Sequence, residues 1–102
     1  MIFKKLKIDF QDKRGSIKDI FYKKNINHVA IIKSKAGVRR GDHYHKKTTQ
    51  YMYITKGSLE YWHKPVGSDE EPAMDLLEVG DFVSTPPYEL HTLVIRDDGN
   101  EF

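Results

Sequence analysis

Residues 37–57 read GVRRGDHYHKKTTQYMYITKG, and this stretch holds two histidines, His43 and His45, with one residue between them. On a β-strand, residues at this spacing project from the same face. A third histidine, His91, lies in the alternating segment LHTLVIR at 90–96, which could form a strand alongside. Three imidazoles that meet inside a small barrel can bind a divalent transition metal or transfer protons. We therefore expect the chemistry of this chain to reside at these three histidines.

Apolar and polar residues alternate along most of the chain, and this period of two is typical of β-strands. Turn residues interrupt the pattern every six to twelve positions, a spacing typical of sandwiches and small barrels. No helix of useful length is predicted. The apolar run at 27–34 predicts a buried strand, and 36–42 is predicted to be a loop. The predicted extended segments are 2–10, 17–22, 27–34, 43–46, 50–55, 58–63, 74–79, 81–84 and 90–96.

The chain has 102 residues and a mass of 11.9 kDa, and we expect 1–102 to fold as a single domain. The absence of cysteine excludes disulfides, thiolate metal sites and cysteine nucleophiles. The longest aliphatic run, at 29–32, is too short to span a membrane. The start, MIFKKLKIDF, lacks the apolar stretch of a signal peptide. These features predict a cytoplasmic protein with no membrane partner.

The two parts of the chain carry opposite charge. Residues 1–64 hold sixteen Lys or Arg against five acids, whereas residues 65–102 hold one Arg against ten acids. The lysines are scattered over many predicted strands and form no stripe interleaved with aromatic residues, so no nucleic acid is expected as a partner. Between positions 33 and 47, six basic residues and one acid flank the histidine pair. Such charges suit the phosphates of a small anionic substrate.

The spacing of glycine, histidine and proline resembles the two-part signature of the cupin superfamily, G-x5-H-x-H-x3,4-E-x6-G and G-x5-P-x-G-x2-H-x3-N. Residues 37–57 match the first part except at the acid, where Gln50 stands. Residues 80–95 match the second part except at Tyr88, which replaces a glycine, and Ile95, which replaces the asparagine. The resemblance implies an all-β fold, a small antiparallel cupin barrel (a jelly roll or double-stranded β-helix) with its site inside.

Three segments resemble the nucleotide-sugar 3,4-ketoisomerases, with one feature shared by the related sugar 3,5-epimerases. They are RGDHYHK at 40–46 followed by Gln50, PPYELH at 86–91, and the turn DKRG at 12–15. The resemblance implies a cupin of polysaccharide or deoxysugar biosynthesis that acts on a nucleotide-linked keto sugar, so its partner is an anionic sugar nucleotide. His43 and His45 are then the catalytic residues, since histidine can act as both base and acid near neutral pH.

Four further residues are candidates for holding the substrate: Arg14, Arg40, Lys46 and Tyr53. Arginine can form paired hydrogen bonds with phosphate oxygens. For Tyr53, packing in the core is the other interpretation. His28 and His63 are expected to be surface or core residues without a partner.

Two other functions fit the same residues. In the first, His43, His45, Gln50 and His91 bind nickel, zinc, iron or copper; otherwise no cofactor is expected. The second is a non-catalytic binding or dimerisation module. A homodimer is expected in addition, because the amphipathic strand at 2–10 could add to the sheet of a second copy.

Overall fold

The computed structural model of this protein describes residues 2–102 and consists of β-strands joined by turns and loops. The described residues contain no helix, and accordingly none that is long and apolar enough to cross a membrane. The strands are β1 (Ile2–Lys5), β2 (Phe10–Asp12), β3 (Gly15–Ile17), β4 (Lys33–Ser34), β5 (Arg39–His43), β6 (Gln50–Tyr53), β7 (Leu59–Pro65), β8 (Ala73–Leu77), β9 (Asp81–Thr85), β10 (Glu89–Ile95) and β11 (Asn100–Glu101).

Two antiparallel sheets form the body of the molecule. One has four strands in the order β5-β10-β7-β8, and the other has three in the order β1-β9-β6. Two short antiparallel pairs, β11 with β4 and β2 with β3, lie beside them. The predicted all-β, antiparallel architecture is confirmed.

The inner face of the four-stranded sheet is apolar at one end and polar at the other. Along β10, the buried alternate positions change from Glu89 and His91 to Leu93 and Ile95. The register places Leu93 beside Tyr61 and Ile95 beside Leu59 of β7. The apolar core therefore fills the second half of β10, and the first half is left for polar side chains.

The predicted buried strand at 27–34 is wrong. Only Lys33–Ser34 forms a strand there, and it pairs with β11. Val29 and Ile31 are 79% and 72% exposed. An apolar run supplies the side chains of a buried strand but not the neighbours that cover it. In the described chain, no strand pairs with 27–31.

The predicted loop at 36–42 and the predicted strand at 43–46 are also wrong, because β5 runs over Arg39–His43. The glycine that suggested a loop, Gly41, instead lies inside a strand that packs closely on β10. It has φ +101°, and a Cβ at this position would lie 2.8 Å from the carbonyl oxygen of His91. A shift in the pairing register follows His91, as expected at a β-bulge.

Candidate active site

The three histidines of the sequence motif meet in the structure. The ring centroids of His43 and His91 are 4.5 Å apart, those of His43 and His45 are 5.0 Å apart, and those of His45 and His91 are 5.9 Å apart. One nitrogen from each ring lies within 4.8 Å of the others. His91 is buried, His45 is half-buried and His43 is exposed, so the cluster is open to solvent on the side of His43.

His43 and His45 meet although only His43 belongs to a strand. His43 is the last residue of β5 and pairs with His91 across the sheet. After it the chain leaves the sheet, and the N–H of Tyr88 donates to the carbonyl oxygen of His45 at 2.8 Å. Tyr88 has φ +62°, in the left-handed region that favours glycine. Tyr88 thus keeps the backbone conformation for which the cupin signature uses glycine.

Hydrogen bonding fixes the tautomer of His91. Its Nδ1 lies 3.2 Å from the carbonyl oxygen of Glu89, and a carbonyl can only accept, so Nδ1 carries the hydrogen and Nε2 carries the lone pair. Burial lowers the pKa of His91, and the neighbouring His43 and His45 lower it further. The His91 imidazole is therefore neutral and can accept a proton or a metal ion at Nε2.

Asp42 holds the end of β5 against β10. Its carboxylate accepts bonds from the guanidinium of Arg39 and from the hydroxyl of Thr92, each at 2.6 Å. These bonds, that of Arg39 first, lower the pKa of Asp42 to about 2. The carboxylate therefore stays charged at neutral pH and fixes the backbone next to His43.

A polar cluster that the sequence did not suggest lies behind His91. The hydroxyl of Tyr61 donates to the Glu89 carboxylate at 3.2 Å and is hydrogen-bonded to the hydroxyl of Thr85. The prediction that His63 has no partner is wrong, because its Nε2 lies 2.9 Å from the Asp75 carboxylate. Alternation along the predicted strand at 58–63 puts residues 61 and 63 on one face, and this spacing could have identified them as members of one cluster.

Three other predicted site residues have positions that the strand pairing, the chain order or a hydrogen bond defines. Gln50 begins β6 and pairs with Thr85 of β9. The hydroxyl of Thr85 is hydrogen-bonded to that of Tyr61, and the ring of Tyr61 is stacked parallel to that of His91. Lys46 is exposed and follows His45 directly. Arg40 extends toward β4 instead, where its guanidinium donates to the Ser34 hydroxyl at 2.7 Å.

The structure does not bring Arg14 and Tyr53 to the histidines. Arg14 is paired with Asp12 at 2.7 Å in the turn between β2 and β3. Tyr53 pairs with Phe82, and alternation along β6 puts it on the face opposite Gln50. The outer face of β6 therefore carries this tyrosine.

The histidine cluster fits a divalent transition metal. Three imidazoles offer nitrogen ligands of the type that nickel, copper, zinc and iron accept. His45 Nε2 is buried and has no hydrogen-bond partner among the described residues. A buried nitrogen without a partner costs free energy, and a bound metal or substrate atom would offset that cost.

Comparison with known families found a match over most of the chain. The model of the family described as "Polysaccharide biosynthesis C-terminal domain" matches residues 10–100. A search of curated proteins found no match.

Several solved structures share the fold. The 3,4-ketoisomerase QdtA from Thermoanaerobacterium thermosaccharolyticum, in complex with TDP, is 22% identical with a TM-score of 0.80, over 98% of this chain and 74% of that one. A 3,4-ketoisomerase from Helicobacter canadensis is 21% identical with a TM-score of 0.81, over 99% and 79%. A dTDP-4-dehydrorhamnose 3,5-epimerase from Elizabethkingia anophelis is 16% identical with a TM-score of 0.78, over 97% and 64%. The predicted cupin barrel is confirmed.

Proposed function

This chain belongs to the polysaccharide biosynthesis C-terminal domain family, and we propose that it isomerises a nucleotide-linked 4-keto sugar by proton transfer at His43 and His45. The observation that carries the proposal is the cluster of three imidazoles, open to solvent on one side. Moving a ketone from C4 to C3 removes a proton from C3 and adds one to C4, while the hydroxyl proton passes from O3 to O4. No electrons are exchanged with a cofactor.

The division of roles follows from exposure and hydrogen bonding. His43 is the most exposed of the three rings and is the candidate base toward a substrate that enters from solvent. His45 lies 5.0 Å from it between ring centroids, close enough to serve the neighbouring carbon or oxygen. His91 is neutral and held by its own strand, so it accepts a hydrogen bond and stays in place.

The substrate we propose is a sugar nucleotide. Lys46 follows His45 directly and is exposed, and phosphate oxygens are ligands that lysine binds, whereas the guanidinium of Arg40 already donates to Ser34. The structure of QdtA holds TDP, and that of a QdtA variant holds TDP-4-keto-6-deoxyglucose. TDP-linked 4-keto sugars are therefore the first substrates to test.

The test is hydrogen exchange in deuterated water with a panel of 4-keto sugar nucleotides, followed by mass spectrometry and NMR of the product. The unmodified protein should incorporate deuterium next to the ketone. His43→Asn and His45→Asn should each lose at least about a hundredfold in rate, the usual contribution of a general acid or base. His28→Asn, an exposed histidine outside the cluster, is the matched control and should keep the rate. No exchange with any sugar of the panel would overturn the proposal.

A second candidate function, metal binding, is favoured by the buried Nε2 of His45. His43, His45 and His91 would supply three nitrogen ligands, and Gln50 would supply an amide oxygen. Gln50→Glu adds a negative charge, so we expect it to tighten nickel or zinc binding by at least about tenfold, or roughly 1.4 kcal/mol. Titration calorimetry on both proteins measures this. Tight binding by the unmodified protein would favour the metal function over metal-free proton transfer, and an unchanged affinity would mean that Gln50 lies outside the site.

We also propose that the chain forms a homodimer through the segment 3–31. β1 is the edge strand of its sheet, and an edge strand presents unpaired backbone groups that a second copy can pair with. Large apolar side chains exposed in this segment are Phe3, Ile8, Phe10, Ile17, Ile20, Phe21, Tyr22, Ile26, Val29 and Ile31. A second copy that covers these side chains would remove apolar surface from water, which is favourable. Sedimentation at micromolar concentration should give twice the mass of 11.9 kDa, and a monomer alone would overturn the proposal.

A further inference from the structure

A set of buried hydrogen bonds joins the two sheets directly behind the histidine cluster. Tyr61 lies on β7, Glu89 on β10 and Thr85 on β9. The Tyr61 hydroxyl donates to the Glu89 carboxylate at 3.2 Å and is bonded to the Thr85 hydroxyl. Because β9 belongs to the three-stranded sheet and the other two strands to the four-stranded sheet, this hydroxyl links the sheets at the level of the site.

The same set of bonds reaches His91 through the backbone. The carbonyl oxygen of Glu89 accepts the Nδ1–H of His91 at 3.2 Å. The Glu89 carboxylate is approached on a second side by His63, whose Nδ1 lies 3.9 Å away. His63 is itself held by Asp75 at 2.9 Å. Residue 89 is therefore fixed through both its side chain and its strand, and its carbonyl oxygen sets which nitrogen of His91 carries hydrogen.

We propose that Tyr61 and Glu89 are positioning residues that hold His91 with hydrogen on Nδ1 and the lone pair of Nε2 available to His43, His45 and their ligand. This orientation serves proton transfer and metal binding equally, so the inference about the tautomer does not depend on the choice between them. Its consequence for turnover rests on the proposed function.

Packing alone does not account for a hydroxyl and a carboxylate at these positions. Tyr61 is 1% exposed and Glu89 is 8% exposed. Burying a hydroxyl or a carboxylate is unfavourable unless it is hydrogen-bonded. On the same strands, Leu59 and Leu93 fill the inner face with apolar side chains, so phenylalanine and leucine would suffice if residues 61 and 89 only had to occupy space.

The experiment records long-range proton–nitrogen correlation spectra of the full-length protein labelled with 15N-histidine, which distinguish a protonated from an unprotonated ring nitrogen. In the unmodified protein, His91 should show hydrogen on Nδ1 alone. Tyr61→Phe, which removes only the hydroxyl, and Glu89→Ala should give a mixture of both tautomers. Glu89→Gln keeps an oxygen acceptor for Tyr61 and should restore the single tautomer. The matched control, Glu60→Ala, removes a glutamate from the opposite face of β7, where it bonds Trp62, and should leave His91 unchanged.

With an active substrate, Tyr61→Phe and Glu89→Ala should lower kcat by about tenfold to a hundredfold, the usual cost of losing an outer hydrogen-bond partner, and leave KM nearly unchanged. A single Nδ1–H tautomer in both Tyr61→Phe and Glu89→Ala would overturn the inference, whatever happens to activity. If Glu89→Ala does not fold, Tyr61→Phe decides the question by itself. If no sugar nucleotide reacts with the unmodified protein, the proposed function fails, and the tautomer measurement still tests the positioning role.

Discussion

Strands β7 and β10 and the N-terminal residues 2–10 carry similar alternating apolar patterns, yet the side chains of the two regions end in different environments. Leu59 and Ile95 are 0% and 1% exposed, whereas Phe10 and Ile17 are 50% and 57% exposed. β7 and β10 each pair on both sides in the four-stranded sheet, while β2 and β3 pair only with each other in the described part of the chain. Alternation therefore determines which face of a strand is apolar, and the neighbouring strands determine whether that face is covered.

The largest effect should come from truncating a side chain in each region. Leu59→Ala opens a cavity in the core and should lower the free energy of unfolding by about 3–4 kcal/mol. Ile17→Ala removes an exposed side chain and should cost less than about 1 kcal/mol. Urea unfolding at a protein concentration low enough to keep the chain monomeric measures both. An equal cost for the two variants would contradict the comparison, because it would mean that β3 is covered even in the monomer.

Alanine substitutions at two glycines, one in a closely packed strand and one in an open turn, test the second comparison. Gly41→Ala places a Cβ 2.8 Å from the His91 carbonyl oxygen, whereas Gly37, at φ +81°, has no atom within 4 Å of an added Cβ. Both variants are strained by a positive φ, which costs about 1 kcal/mol or more, and Gly41→Ala should reach about 3 kcal/mol because the backbone must also move. Urea unfolding gives both values. If the two costs agree within error, the close approach of β5 to β10 contributes nothing.

The sequence predicted most of the strands and the histidine cluster, because both follow from spacing along the chain. Alternation identified the strands that became β6, β7 and β10 with small shifts at their ends. The prediction from the apolar run at 27–34 failed, because in the described chain no strand pairs with 27–31. The predicted loop around Gly41 failed too, since a glycine required by a close approach between strands looks the same in sequence as a glycine in a loop.

The rest of the site depends on register, which spacing within one segment does not give. Tyr53 and Gln50 belong to one predicted strand, but an odd number of positions separates them, so they point to opposite faces. His63 received no role because Asp75 is twelve positions away and reaches it only after β7 and β8 pair. Tyr61 and Glu89 meet for the same reason, through the pairing of β7 with β10.

A medium effect is expected on self-association. Phe10 and Ile17 pair across the β2–β3 hairpin, so replacing both with serine removes one exposed apolar patch. If a second copy covers this patch, the dimer dissociation constant should rise by at least about tenfold, because burial of each side chain is worth roughly 1.5–3 kcal/mol. Lys13→Ser, in the turn of the same hairpin, is the control and should change it little. Sedimentation over a concentration series measures the constant, and an unchanged value would place the interface elsewhere.

The smallest expected effect is the pH dependence of stability, which arises because the pKa of His91 differs between the folded and the unfolded chain. Burial lowers the pKa of His91 in the folded protein, with His43 and His45 adding to the shift and the carbonyl and carboxylate of Glu89 opposing it. Below about 6.5, the ordinary pKa of histidine, the unfolded chain therefore binds more protons at this residue than the folded chain does. Stability rises with pH wherever the unfolded state binds more protons, so it should fall as the pH drops through this value.

His91→Gln removes this contribution, so its urea midpoint should change less than that of the unmodified protein between about pH 8 and about pH 5. Asp42 does not interfere in this window, because its pKa is lowered to about 2. The stability that the charged Asp42 carboxylate contributes begins to be lost only when the pH falls to about 4, the ordinary pKa of aspartate. If the urea midpoints of the two proteins change equally with pH, His91 takes up a proton as readily in the folded protein as in the unfolded chain. That outcome would contradict the prediction, because a buried imidazole that faces His43 and His45 should be harder to protonate.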